Sequence, residues 1–311
     1  MPVAIVGAGS IGVGWAIVFA SAGHPVRLHD SAPERLAKAV TEVGARLDDL
    51  QGFGLIADAP GTIAARVHCT PDLAEAVASV GHVQECVPED LALKRDLFTT
   101  LDALTPEGAA IASSSSFLTA SLLAKHLPGR ARCLVVHPGN PPYLLRVAEI
   151  VPAPFTAAAV VARTDRLLRD GGIEPVRVAR EVEGFVFNRL QGAMLREAYA
   201  LVRDGVATVA DIDRLVRDGL GLRWSVVGPF ETVDLNTRGG IAAHAERMGP
   251  AYARMGAERG HGEPWSAELV AEVVAARRAQ LDLADWAARV AWRDRLLMAR
   301  LRARARDESG G

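Results

Sequence analysis

The segment 3–12 constrains the fold more than any other part of the chain. It begins with a short, uncharged apolar run that is typical of a buried parallel strand. Gly7, Gly9 and Gly12 follow with the spacing G-x-G-x-x-G. The first glycine permits a tight turn, the second lets a pyrophosphate approach the backbone, and the third lets the next helix pack closely. The segment therefore predicts a strand and a phosphate-binding turn that opens a helix.

The residues after this turn predict the rest of a dinucleotide site. A helix from Ile11 to about Ala22, preceded by Ser10, would direct its N-terminal amides at the phosphates. A second strand over residues 25–29 ends in Asp30, at the spacing of the acid that binds the ribose hydroxyls. A carboxylate there repels a 2′-phosphate, which favours NAD over NADP. The alternative is that Asp30 is only a solvated turn residue.

Alternating strand-like and helix-like stretches predict an α/β fold. The strands, the last of them at residues 132–136, alternate with helices, which specifies a Rossmann-type doubly wound parallel sheet. One of these helices is expected to have Ser31 as its N-cap. Beyond Glu183 the pattern is helical. We therefore expect an NAD-binding domain over residues 1–183 and an all-helical substrate and dimerisation domain over residues 184–311, whose end is expected to fray.

The composition excludes several classes of function. The 35 basic and 37 acidic residues nearly balance, which gives no reason to expect a nucleic acid or an anionic membrane as partner. No apolar run approaches the ~20 residues needed to cross a bilayer. Because the first strand begins at residue 3, we expect no signal peptide. Cys69, Cys86 and Cys133 lack metal-ligand spacing and are expected to be reduced. We expect a cytoplasmic protein without a metal site.

Polar residues near the ends of the fifth and sixth strands predict the reactive site, because ligands of open α/β sheets bind beyond the carboxyl ends of the strands. The fifth strand ends in the serine run 113–116, and His137 follows the sixth. The chain returns through the apolar run 147–151, in which Glu149 is costly unless it is paired. His137 is the nearest sensible partner, and Glu149 would hold one imidazole nitrogen while the other takes a substrate proton. A purely structural pair is the alternative.

Several motifs carry a family resemblance that extends from Pro2 to about Met255. Ser116, His137-x-x-Asn140-Pro141, Glu149 and the segment Gly-Phe-Val-Phe-Asn-Arg at 184–189 resemble the short-chain L-3-hydroxyacyl-CoA dehydrogenase superfamily. The resemblance is closest to its lambda-crystallin and L-gulonate 3-dehydrogenase branch. The stretches similar to that branch are 137–152, 184–191, 218–224 and 228–232.

The resemblance implies a role for each residue of the reactive site. His137 would take the proton of the C3 hydroxyl while hydride leaves for NAD, and Glu149 would orient His137. Ser116 and Asn188 would hydrogen-bond the substrate oxygen. Because four serines are consecutive, Ser115 is the alternative to Ser116. Asn188 could instead cap its helix or bond across the domain junction.

The resemblance also implies contacts to the cofactor and the substrate. Glu89 and Lys94, after the fourth strand, resemble the family's nicotinamide-ribose contacts. Asn140, in the histidine motif, and Arg223 are candidate substrate contacts. A free carboxylate favours a bidentate arginine, and Arg223 lies in a branch-like motif. An ordinary ion pair is the alternative for Arg223.

The charge of the segment 39–65 favours a small free acid over an acyl-CoA. Related hydroxyacyl-CoA enzymes carry lysine-rich helices there, whereas Arg46 is the single base in this segment and its net charge is negative. We therefore expect NAD-dependent oxidation of the 3-hydroxyl of a small hydroxy acid, with L-gulonate as the leading substrate and 3-dehydro-L-gulonate as the product.

Three alternatives to that reaction stay open. 3-Hydroxybutyryl-CoA is a second substrate, and L-carnitine is a third, for which Trp224 and Tyr143 are candidates to cradle the ammonium group. The remote alternative is a catalytically idle, NAD-binding structural protein. The family also implies a homodimer.

Overall fold

The computed structural model describes residues 1–238, 240–258 and 267–309. Within it the chain divides into two compact units, one formed by Met1–Arg189 with Val290–Gly311 and the other by Leu190–Arg289. The first is an α/β unit and the second is helical, so the expected fold class is confirmed. The domain boundary expected between Glu183 and Gly184 stays a prediction.

One eight-stranded sheet forms the centre of the first unit, in the order β3-β2-β1-β4-β5-β6-β7-β8. The expected parallel pairing is present except between β6 and β7, which are antiparallel because a short turn, without a crossover helix, returns the chain beside β6. The strands are β1 Val3–Val6, β2 Val26–His29, β3 Val67–Thr70, β4 His82–Glu85, β5 Ala110–Ser113, β6 Cys133–Pro138, β7 Val147–Pro152 and β8 Glu174–Arg177.

Helices accompany the strands of this unit up to β8. Among them, the N-cap expected at Ser31 is wrong: the helix starts at Pro33 with Ala32 as its N-cap, because proline is suited to the first helical position. The helices are α1 Ser10–Ser21, α2 Pro33–Gly52, α3 Pro60–Ala64, α4 Leu73–Val77, α5 Leu91–Leu104, α6 Ala120–Ala124 and α7 Ala158–Asp170.

Helix α1 is buried on nearly every side, and this fixes the direction of its N-terminus. Trp15 and Phe19 are fully buried and their rings stack with centroids 5.3 Å apart. Burial of each such side chain stabilises the fold by roughly 1.5–3 kcal/mol. The Trp15 indole also donates to Ser114 Oγ, just after β5. The helix that follows the glycine turn is therefore anchored to the middle of the sheet.

The second unit consists of helices whose apolar side chains are largely exposed, Phe230 and Leu235 among them. Its helices are the greater part of α8 Phe187–Arg203, then α9 Val209–Leu215, α10 Gly221–Trp224, α11 Pro229–Asn236, α12 Gly240–Glu258 and α13 Ala267–Gln280. A π-helical turn, Val216–Leu220, joins α9 to α10. In the described part of the chain, no helix has both the length and the apolar character required to cross a membrane.

The last helix, α14 Trp286–Ser309, returns the chain to the first unit from Val290 onward. Met298 is 1% exposed and belongs to the hydrophobic core of that unit. The helix extends to Ser309 and residues 310–311 lie outside the described part, so the fraying expected for the C-terminal end stays a prediction.

Candidate active site

The glycine turn between β1 and α1 has the geometry of a pyrophosphate site. Gly7 has a φ of +108°, and a Cβ there would lie 2.8 Å from the Cys86 carbonyl. A Cβ on Gly12 would overlap the carbonyl oxygen of Gly7, whereas at Gly9 it would meet nothing within 4 Å. Helix α1 starts directly after Gly9 without a side-chain cap. Its first amides are thus available to an anion, and these residues fit a dinucleotide.

Asp30, which follows β2, is held by backbone amides on both carboxylate oxygens. Oδ2 accepts from Ala8 N and Oδ1 from Ala32 N, each at 3.0 Å. Each oxygen keeps a lone pair for a further donor. The Arg35 guanidinium lies 3.9 Å from Oδ2 and is mostly exposed. Asp30 is thereby fixed beside the glycine turn, where a ribose would need it.

His137 and Glu149 are paired directly across the antiparallel strands β6 and β7. His137 Nδ1 and Glu149 Oε2 are 2.8 Å apart, and both side chains are buried. His137 lies inside β6 rather than after it, because β6 extends to Pro138 where β7 pairs with it. The structure thus brings together the predicted pair, and the antiparallel register explains how.

The other oxygen of Glu149 is bound by the start of α8. Oε1 accepts from Val186 N at 2.7 Å and from Phe187 N at 3.1 Å. The pKa of the Glu149 carboxyl lies below its ordinary value: burial raises it, but the hydrogen bonds from His137, Val186 and Phe187 outweigh that effect. An ionised Glu149 accepts a proton-bearing Nδ1, which leaves Nε2 of His137 as the basic nitrogen.

The turn before α8 aims these amides at Glu149. Gly184 and Phe185 both have positive φ, +74° and +49°. Phe185 is fully buried, with its ring centroid 5.7 Å from that of His137. Asn188, the second residue of the helix, donates from Nδ2 to the carbonyl oxygen of Ser116 at 3.2 Å. Asn188 therefore faces the serine run, and the structure brings it together with Ser116.

The four serines of the run 113–116 differ in the hydrogen bonds of their hydroxyl groups. Ser113 Oγ donates to Glu85, Ser114 Oγ accepts from Trp15, and Ser115 Oγ donates to Glu89. Ser115 is 1% exposed, whereas Ser116 is half-buried and no described residue hydrogen-bonds its hydroxyl. Ser116 is thus the serine whose hydroxyl is available to a substrate.

Lys94 is buried beneath the loop that follows β4. Its Nζ donates to Glu85 Oε1 and Oε2 at 2.7 and 3.0 Å and to the Val87 carbonyl at 3.0 Å, and lies 3.7 Å from Glu89 Oε2. The ammonium is thus already bound by the protein, and its contact with a ribose stays a prediction. Glu85 was not among the predicted site residues, although it is a carboxylate in a buried strand, like Glu149.

The two candidate substrate residues lie in different units. Asn140 is exposed in the turn after β6, and Arg223 lies in α10 of the second unit. Their roles stay predictions. Among the described residues, no three His, Cys, Asp or Glu side chains come close enough to hold a metal ion.

Comparison with known proteins identifies the family. The model of the 3-hydroxyacyl-CoA dehydrogenase NAD-binding domain matches residues 2–182, and that of the C-terminal domain matches residues 184–282. The chain belongs to the 3-hydroxyacyl-CoA dehydrogenase family. It is an NAD-dependent 3-hydroxy acid dehydrogenase, and the dinucleotide that fits the glycine turn is NAD.

Relatives of this family member align over most of its length. Lambda-crystallin of Oryctolagus cuniculus is 39% identical over 303 residues, 95% of this chain and 93% of the relative. An L-carnitine dehydrogenase of Streptomyces griseus is 42% identical over 249 residues, 80% of this chain and 73% of the relative. The solved structure of 5-formyl-3-hydroxy-2-methylpyridine 4-carboxylic acid 5-dehydrogenase has a TM-score of 0.84 at 27% identity, with 97% of each chain covered.

Replacing Asp30 with alanine should weaken NADH binding roughly tenfold or more, because charge-assisted hydrogen bonds to the ribose are lost. It should also relax the discrimination against NADPH, since the repelling carboxylate is gone and Arg35 is free to meet a 2′-phosphate. Fluorescence titration with NADH and with NADPH measures the ratio of the two dissociation constants. Glu34→Ala, an exposed acid in the first turn of α2, is the matched control. An unchanged ratio would mean that Asp30 does not contact the ribose.

Proposed function

We propose that this dehydrogenase oxidises L-gulonate to 3-dehydro-L-gulonate. The observation that carries the chemistry is the buried pair of His137 and Glu149, joined at 2.8 Å. The amides at the start of α8 bind Glu149, and Asn188 in the same helix binds the Ser116 carbonyl. The similarity of the chain to lambda-crystallin along 95% of its length supports the substrate class. The remaining support comes from the charges near α2.

Each residue of the site has one part in the reaction. His137 Nε2 takes the proton of the C3 hydroxyl, and Glu149 holds Nδ1–H and balances the charge of the imidazolium that forms. The Ser116 hydroxyl and the second amide proton of Asn188 hydrogen-bond the oxygen as it becomes a carbonyl. The glycine turn and Asp30 would hold NAD, which would supply the acceptor for the hydride from C3.

The surroundings of Arg46 support a free acid over an acyl-CoA. Arg46 is the single base of the segment 39–65. Its guanidinium is 3.0 Å from Glu42 and lies over the ring of Tyr143, 5.5 Å from the centroid. The Arg46 charge is thus already paired with Glu42. The segment has more acidic than basic residues, so it is a poor environment for CoA phosphates.

L-Carnitine is the second candidate, because relatives of that name are 42% identical to this chain. Carnitine is also a 3-hydroxy acid, and its ammonium group would need an aromatic cradle. Tyr143, expected to serve there, is 4% exposed with Arg46 on its face and Asp294 at its hydroxyl, so it is unsuited to that task. Trp224, partly exposed in α10, remains as the candidate.

The substrate is tested by following NADH formation with L-gulonate, L-carnitine and L-3-hydroxybutyryl-CoA. We expect the highest kcat/KM for L-gulonate. Arg223→Ala should then raise its KM by roughly tenfold or more with a smaller change in kcat, as expected when a bidentate carboxylate contact is lost. Arg217→Ala, in the adjacent π-helical turn and paired with Asp218, is the matched control. Preference for the CoA ester would contradict the charge argument, and preference for carnitine would favour the second candidate.

We also propose a domain boundary between Glu183 and Gly184, a homodimer and a cytoplasmic location. The two family models end at residue 182 and begin at residue 184, which supports the boundary. The exposed apolar residues of the helical unit, Val226 and Phe230 among them, support an interface between two copies. The three free cysteines are those expected of a reducing compartment.

A further inference from the structure

The loop that carries Ser116 is held mainly by one carboxylate. We call residues 115–118 the serine loop. Oε1 of Glu89 accepts from Ser115 Oγ at 2.5 Å and from the backbone amides of Ser116, Phe117 and Leu118 at 3.2, 3.1 and 3.3 Å. The Ser115 hydroxyl in turn accepts from Leu118 N at 2.7 Å. Consecutive amides of the loop therefore converge on a single oxygen.

The position of Glu89 explains why it can hold this loop. Glu89 follows β4 and the serine loop follows β5, and these two strands are adjacent and parallel. The pKa of the Glu89 carboxyl lies below its ordinary value, since the hydrogen bonds from Ser115 and Phe117 and the nearby charge of Lys94 outweigh the effect of burial. An ionised carboxylate is the strongest acceptor these amides can have.

The backbone of Ser116 is consequently held by hydrogen bonds at both its amide and its carbonyl group. Its amide donates to Glu89 Oε1, and its carbonyl accepts from Asn188 Nδ2. Its hydroxyl alone is left without a partner among the described residues. Ser115, at 1% exposed, is too deeply buried to touch a substrate.

We propose that Glu89 and Ser115 are positioning residues, which hold the serine loop so that the Ser116 hydroxyl and the Asn188 amide meet the substrate oxygen. This inference rests on the roles proposed above for Ser116 and Asn188. It is distinct from a ribose contact by Glu89, which would use the other carboxylate oxygen and would not need Ser115. Ser115 therefore separates the two roles.

The kinetic test is Ser115→Ala. We expect kcat to fall roughly tenfold, since small misplacement of an aligned group is costly, while the Kd of NADH and the KM of NAD stay within about twofold. The assay uses whichever of L-gulonate, L-carnitine and L-3-hydroxybutyryl-CoA has the highest kcat/KM. Ser79→Ala is the matched control, because the Ser79 hydroxyl is exposed and accepts from Arg27 outside the serine loop. Its kcat should stay near that of the wild type.

Amide hydrogen exchange tests the same inference without any substrate. In Glu89→Ala and in Ser115→Ala, the amides of residues 116–118 should exchange about tenfold faster or more, whereas the Ser79→Ala control should leave them unchanged. Unchanged exchange in both variants, or a wild-type kcat in Ser115→Ala, would overturn the proposal. If none of the three substrates is oxidised, the proposed function fails, while the exchange result still decides whether Glu89 and Ser115 hold the loop.

Discussion

Replacing His137 with glutamine should lower kcat by roughly 10²–10⁴-fold, the usual contribution of a positioned general base. Glutamine is similar in size and can still donate to Glu149, but it cannot take the proton of the C3 hydroxyl. The affinity for NADH should change little, because the glycine turn and Asp30 belong to other strands of the sheet. Steady-state kinetics together with a fluorescence titration of NADH measure both quantities.

His126→Gln is the matched control, because His126 is exposed and bonded only weakly to Thr99. Its kcat should equal that of the wild type. If His137→Gln keeps a wild-type kcat, the base is a different residue.

The pH dependence of kcat at acid pH tests the role of Glu149. The pKa of Glu149 is depressed in the folded protein, so its stabilising contribution is present above the ordinary carboxyl range and lost only as the pH falls through the lower folded value. A loss of activity above about pH 5 therefore belongs to a different group.

The parts of the site that the sequence predicted are those in which chemistry restricts the residue type. A tight turn that approaches a pyrophosphate requires glycine, so the spacing of Gly7 and Gly12 alone predicted the phosphate-binding turn. A carboxylate in an apolar strand needs a partner, which led from Glu149 to His137. Both rules act over short stretches of chain and need no knowledge of the fold.

The parts that were missed depend on pairings between distant segments. The return of the chain through residues 147–151 was expected, but its antiparallel pairing with β6 was not, and β8 and α7 after it were not recognised. The bonds between Glu89 and the serine loop join residues 26 to 29 positions apart, and most use backbone amides that leave no signature in the sequence. Whether the face of Tyr143 is open to a ligand or covered by Arg46 likewise depends on packing.

The largest loss of stability is expected from Lys94→Met. The ammonium of Lys94 and the carboxylate of Glu85 are 2.7 Å apart, with 1% and 0% of their side chains exposed. Removing one member of a buried pair leaves an uncompensated charge, which typically costs about 3–5 kcal/mol. Glu85 would keep only the hydrogen bonds from Ser113 Oγ and Val87 N. Chemical denaturation at neutral pH measures the free energy of unfolding.

Two further measurements separate a lost charge pair from lost packing. Burial raises the pKa of Glu85 against the pull of Lys94, and without Lys94 that pKa should rise further. A folded pKa above the unfolded value means that the folded state binds the proton more tightly, so the variant should recover stability as the pH falls through the folded pKa. At neutral pH, the double variant with Glu85→Gln should likewise recover most of the loss, because both charges are then absent. A deficit that is independent of pH and persists in the double variant would show that Lys94 stabilises the fold through its packing and not through its charge.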